Sequence, residues 1–214
     1  MKMLKNKSTM LLAGLAALML SVAAQAAPVT YSGYSLKYGT SGAPTGQVTY
    51  GDPAATTPRI YAGELTFNVS GSDETFNGFC IDLSTTLQRT GTYTPTSAAG
   101  LNTDALGALF ELYYSDSGMG QVNTAAFQLA IWSIVYNNPV ELLGSSFGGS
   151  VTGQAQSYID GIDNFTGTSS YAFLVYDEAG NQNMLTWTPV PEPGTLALLG
   201  LGLLGAGAMR RRRS

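Results

Sequence analysis

Both ends of this chain are apolar segments fenced by charge, and they confine the part that can fold in water to the stretch between them. At the N-terminus Lys2, Lys5 and Lys7 precede an apolar run over residues 10–20, and Ala24-Gln25-Ala26 follows. A charged region, a short apolar region and an A-x-A site in that order make a secretory signal peptide over residues 1–26. At the C-terminus Pro191-Glu192-Pro193 leads into residues 194–209, which carry no charge, and then into Arg210, Arg211, Arg212 and Arg213. As a helix, 194–209 is about 24 Å long, a thin span against a hydrocarbon core of about 30 Å. The arginines stay cytoplasmic by the positive-inside rule, which leaves the body outside, as the signal peptide requires. That body, residues 27–188, is long enough for one hydrophobic core.

Charge and composition then remove most chemistry. Without the seven terminal bases, Lys37, Arg59 and Arg89 face all 14 acids, a balance of −11, or −10 within the body once Glu192 of the tail is set aside. Such a body cannot neutralise phosphates, so nucleic acid is excluded as a partner. The chain has no histidine, which removes Ser-His-Asp and Cys-His catalysis and the commonest metal ligand. Its one cysteine, Cys80, cannot form an internal disulfide or a multi-cysteine zinc site. Asp160, Asp163 and Asn164 lack the spacing of a calcium loop. Asp73 and Glu74 would need a second acid across a cleft to hydrolyse a glycoside. The G-x-G-x-x-G of residues 200–205 follows no strand and is no nucleotide site. Tyrosines and tryptophans on a β surface suit polysaccharide, but most of the 12 tyrosines are assigned to packing. The expectation is a protein that is not an enzyme and uses no cofactor or metal.

Pattern predicts an α+β body: a mainly antiparallel β-sandwich or barrel-like body with a helical insertion after the cysteine strand. Strands are expected over 29–38, 47–50 and 63–69. The turn Ser70-Gly71-Ser72-Asp73 then returns a hairpin partner over 74–83. A late hairpin is expected from 171–176 and 183–188 around Asp177-Glu178-Ala179-Gly180-Asn181. Between them, Thr103 is placed as the cap of one helix. Asn123 or Thr124 is placed as the cap of a second, which ends at Asn137-Asn138-Pro139. A weaker helix is expected over 154–162.

Two residues call for an account. An exported lone thiol is a liability unless it is buried or chemically used, so Cys80 is either a small core hydrophobe or a reactive group. Gln128 shares a helical stripe with Ile131, Trp132 and Val135. An amide on such a stripe needs partners; it either bonds a neighbouring strand from the edge of the stripe or does chemistry. Asp82, two residues beyond Cys80, is expected on the same strand face as a proton acceptor or a structural carboxylate.

Two resemblances give these patterns meaning. Pro191-Glu192-Pro193, the apolar helix 194–209 and the arginine cluster 210–213 resemble the PEP-CTERM sorting signal of Gram-negative bacteria. That resemblance implies an exosortase-type membrane protease or transpeptidase as partner, a membrane contact through the helix before processing, and a cell-surface or matrix destination. Within the body, Phe79-Cys80-Ile81 and Phe127-Gln128-Leu129-Ala130-Ile131-Trp132 resemble the two motifs of the thioester domains of bacterial surface adhesins. The resemblance implies that Cys80 and Gln128 condense to an internal thioester, with Phe79, Asp82, Phe127, Ile131 and Trp132 framing it. The bond then opens to a nucleophile on a surface, matrix or polysaccharide partner. Asp82 stands where that family favours an apolar residue, and the motifs lie only 48 positions apart. The body's single lysine, Lys37, suits an electrophilic thioester and plain acidic composition equally. The alternative function is a non-covalent matrix or exopolysaccharide-associated protein with an inert cysteine, and a secreted hydrolase ranks below both.

Overall fold

The computed structural model describes residues 27–51, 55–114, 119–138 and 145–190. The expected signal peptide over 1–26, and the Pro191-Glu192-Pro193 motif, expected apolar helix and arginine cluster over 191–214, lie outside the described residues. Ten strands appear in order: β1 (Val29–Leu36), β2 (Thr45–Gly46), β3 (Thr49–Tyr50), β4 (Ala55–Thr56), β5 (Ile60–Tyr61), β6 (Leu65–Val69), β7 (Thr75–Cys80), β8 (Gly91–Ser97), β9 (Tyr171–Asp177) and β10 (Met184–Pro189). Three helices, α1 (Thr103–Tyr113), α2 (Gly120–Tyr136) and α3 (Gly149–Ile162), lie between β8 and β9.

Six strands close into an antiparallel barrel in the order β1-β6-β7-β10-β9-β8; β2 pairs with β5 and β3 with β4 outside it. Alternation fills the barrel with rings. Tyr31 stacks on Tyr93 at 5.2 Å, Phe67 on Phe76 at 4.7 Å, and Phe76 meets Tyr176 at 5.1 Å. Closure also removes free sheet edges. One extra residue in β1, between Tyr31 and Gly33, makes a bulge against β6 and adds the local bend that a small barrel needs. Of the two architectures expected, the barrel is the one adopted.

Helix α2 is buried along its whole middle, from Thr124 to Ser133. A helix apolar all round belongs between layers, and α2 lies between the barrel strand β7 and the other two helices. Phe127 packs on Phe79 of β7 at 5.2 Å and on Phe110 of α1 at 5.0 Å. Phe79 also stacks on Trp187 of β10 at 5.3 Å, so one aromatic cluster joins the helices to the sheet.

Several expected boundaries move. The cap of α1 is Asn102, whose side chain accepts from the Ala105 N–H at 3.2 Å, not Thr103. Helix α2 starts at Gly120, before the expected caps Asn123 and Thr124. Thr124 instead spends its hydroxyl on the Glu64 N–H at 3.0 Å. The C-terminal stop holds: Asn137 takes the left-handed conformation at φ 50°, the usual residue after glycine for that role. The hairpin partner of β6 ends at Cys80, so Asp82 follows the strand instead of lying on it. The helical insertion follows β8, not the cysteine strand directly. Strand β8 escapes the pattern because Pro95 interrupts it and only Tyr93 of its seven residues is buried.

Candidate functional site

Cys80 closes β7 and Gln128 sits two turns into α2, and packing of Phe79 on Phe127 sets the two elements side by side. The result is a two-point clasp. Gln128 Oε1 accepts from the Cys80 backbone N–H at 3.1 Å, and Gln128 Nε2 donates to the Cys80 carbonyl at 2.8 Å. Both residues are buried, with Gln128 1% exposed and Cys80 6%. The amide therefore reaches a neighbouring strand, as the edge reading requires, yet from the fully buried face and at the cysteine itself.

The sulfur has its own contacts. Cys80 Sγ donates to the Asp82 carbonyl at 3.2 Å. Burial pushes the thiol up to about 12, with the Trp132 indole among the groups drawing it the other way. At neutral pH this sulfur is a protonated thiol, unreactive towards oxidants and disulfides. The Trp132 indole N–H is buried and has no nitrogen or oxygen acceptor among the described residues. Beside it is the chain's one thiol, towards which this N–H acts as a donor that lowers the Cys80 thiol against burial.

Asp82 does not offer its carboxylate to the sulfur. Its Oδ1 accepts from the Ser84 N–H at 2.8 Å and the Ser84 hydroxyl at 2.6 Å, closing a turn. Burial works to raise its pKa, but hydrogen bonds from Ser84 and Thr85 outweigh it and hold the carboxyl below its ordinary value. A carboxyl held below its ordinary value is a weaker base; Asp82 brings Cys80 its backbone carbonyl as an acceptor and a nearby negative charge that adds to burial in raising the thiol.

Phe79, Phe127, Ile131 and Trp132 are all buried around the pair. The sequence reading missed Tyr136. Its hydroxyl accepts from the Leu83 N–H at 2.9 Å and donates to the Ile81 carbonyl at 3.3 Å, pinning the segment that leaves Cys80. The signal was present: Gln128, Trp132 and Tyr136 recur at i, i+4 and i+8, one helix face. Asp160 lies on α3, accepting from Gln156 Nε2 at 2.7 Å on an exposed surface.

Residues 189–213 match the PEP-CTERM protein-sorting motif. The motif spans Pro191-Glu192-Pro193 and the four arginines, and it implies an exported, cell-surface-directed protein processed by an exosortase. Among solved structures, the N-terminal domain of the Streptococcus pyogenes pilus tip adhesin Cpa is similar at 15% identity and a TM-score of 0.42, over 70% of this chain and 95% of that one. No curated protein matches the chain in sequence. Among the described residues no helix is long and apolar enough to cross a membrane; the helix expected over 194–209 lies outside them.

Proposed function

We propose that the body of this surface-directed protein forms an internal thioester between Cys80 and Gln128 and uses it to attach covalently to a nucleophile on a partner. The observation that carries this reading is the clasp: the buried Gln128 carboxamide bonds both backbone groups of the residue that bears the chain's one thiol, and Phe79, Phe127, Ile131 and Trp132 are buried as well. In the proposed step the Cys80 sulfur attacks the Gln128 side-chain carbon. A carbon–sulfur bond forms, the carbon–nitrogen bond breaks, and the thiol proton leaves with the nitrogen as ammonia. The Cys80 N–H already bonded to Oε1 would polarise the carbonyl and stabilise the oxyanion that develops on it.

The same burial that raises the thiol pKa makes the thiolate a poor leaving group, which guards the acyl bond from water until a stronger nucleophile arrives. The Trp132 N–H is a donor in reserve for that departing sulfur. An amine or hydroxyl of the partner would then become an amide or ester of the Gln128 carbonyl, returning Cys80 as a thiol. This is a single-use acyl transfer, not turnover. Exosortase processing at the tail, with the apolar helix holding the chain in the membrane beforehand, would set where the bond is made.

A second reading has one observation in its favour. Both polar groups of the Gln128 amide are already satisfied, and the sulfur already has an acceptor, so the arrangement also serves an inert core in a non-covalent matrix protein. Intact mass separates the two. Protein purified without nucleophilic buffers is expected to be lighter by one ammonia, and methylamine is expected to open the bond, leaving a free thiol and a methylamide at Gln128. Cys80→Ala and Gln128→Ala should each show the full mass and no methylamine adduct. Full mass in fresh wild type, with one thiol that titrates once the protein is denatured, would establish the inert reading.

A further inference from the structure

A different place on the same pair of strands opens a cleft whose walls do not depend on whether the thioester forms. Strands β7 and β10 are in register only at Met184–Cys80 and Leu185–Phe79. Beyond Leu185, β10 continues to Pro189 with β9 on its other side, and β7 runs back to Thr75 with β6 on its other side. Where the two part, a cleft of about 530 Å³ opens, within the range of about 300–1,000 Å³ usual for small-molecule sites.

The walls of the cleft are of two kinds. The rings of Phe76, Tyr176 and Trp187, each partly exposed, supply apolar surface, with one face of Phe76 stacked on Phe67 and one face of Trp187 on Phe79. Between them stand neutral polar groups whose hydrogen-bonding capacity is unspent among the described residues. Tyr176 and Thr188 make no hydrogen bond through their hydroxyls. Asn77 uses only its oxygen, which accepts from the Thr66 hydroxyl at 2.9 Å, and its NH₂ donors remain. No lining residue among the described ones is charged, and burial raises the Tyr176 phenol, keeping it a neutral donor.

We propose that this cleft binds a short segment of a neutral saccharide. A pyranose is amphipathic in the way these walls are: its C–H faces suit aromatic rings and its hydroxyl rim suits uncharged donors and acceptors. The absence of charge from the lining gives a phosphate, a carboxylate or an ammonium group no counter-charge. An extended uncharged peptide, adding as a strand in the open seam, is the rival. It is disfavoured because ring faces, not alternating side-chain pockets, form the walls.

The test is titration calorimetry of the full exported protein with cellotriose, maltotriose and chitotriose, and with an uncharged threonine-valine hexapeptide. Binding of at least one trisaccharide is expected. Trp187→Ala should abolish it, with circular dichroism checking that the variant is folded. Tyr176→Phe and Asn77→Ala, which leave the ring packing in place, should each weaken binding roughly three- to tenfold, the loss of a neutral hydrogen bond. The proposal is overturned if no trisaccharide binds, if the hexapeptide alone binds, or if Tyr176→Phe and Asn77→Ala both bind a trisaccharide as tightly as wild type.

Discussion

The two ends of the β7–β10 seam are built from the same backbone and finished in opposite ways. At the closed end, around Cys80 and Met184, the strands pair, α2 covers them, and Gln128 clasps the main chain. At the open end the strands part, Tyr114 at the end of α1 stands in the lining, and the Asn77, Tyr176 and Thr188 side chains keep polar groups unspent among the described residues. The difference teaches where each end can work. A dry, fully bonded site protects a reactive bond and tolerates little change. A partly wet, ring-lined site exchanges ligands and tolerates much.

The largest effect is expected at the closed end. Trp132 is 1% exposed within the core. Trp132→Ala should therefore lower stability by about 3–5 kcal/mol, as large aromatic truncations do, read as a shift in the denaturation midpoint. An unmoved midpoint would mean that α2 is not docked as described, and the contrast between the two ends would collapse. Trp132→Phe keeps most of the bulk and removes the N–H. Slower opening by methylamine in that variant would assign the indole donor to the leaving sulfur.

Next comes the clasp itself. Gln128→Leu fills similar space but strands the Cys80 N–H and C=O in an apolar pocket. Two buried backbone groups left unpaired should cost about 2–4 kcal/mol. A loss no larger than that of an ordinary surface change, about 0.5 kcal/mol, would show that water or a moved strand replaces the amide and that the closed end is not dry.

How much of this was legible beforehand follows from what each end is made of. Cys80 and Gln128 stood out because both are chemically out of place: a lone exported thiol, and an amide on an apolar stripe. Their meeting rests on Phe79 and Phe127, which flank the two residues in sequence and pack together in space. Strand alternation gave β6, β7 and the β9–β10 hairpin for the same reason, since each keeps one apolar face. The open cleft left no such mark. It depends on where two strands distant in sequence stop pairing, and its residues read as ordinary β-surface tyrosines and threonines. Asp82 misled for a simpler reason: period-two alternation was extended past Cys80, where the strand ends and an Asp-Ser turn begins.

Alkaline pH sharpens the comparison through the sulfur. Burial raises the folded Cys80 thiol from about 9 to about 12, while in the unfolded chain it ionises near its ordinary value. The protonated form is thus favoured by folding, and its contribution is intact below pH 9 and lost as pH climbs towards 12. The slope is about 1.4 kcal/mol per unit, so about 2 kcal/mol should be gone near pH 10.5. Tyr93 and Tyr136 are also raised by burial and add a background loss, so the readout is a difference. Methylamine-opened protein should lose this increment relative to Cys80→Ala, and thioester-bearing protein should not. Equal alkaline profiles for opened and unopened protein would mean that the thiol was never capped.

The smallest effect is the most direct comparison, because it deletes the same atom at each end. Tyr136 spends its hydroxyl twice, on Leu83 and Ile81. Tyr136→Phe should therefore cost about 1–2 kcal/mol, largely from the Leu83 N–H left without its acceptor. Tyr176 lines the open cleft and bonds nothing through its hydroxyl among the described residues. Its ring still packs on Phe76 at 5.1 Å, and phenylalanine keeps that contact. Tyr176→Phe should change stability by no more than about 0.5 kcal/mol, in either direction, since a half-buried hydroxyl without a protein partner gives the fold nothing to lose. Thermal midpoints of the two variants, measured side by side, decide it. If Tyr176→Phe destabilised as much as Tyr136→Phe, the cleft hydroxyl would be holding the barrel together and would not be held open for a ligand.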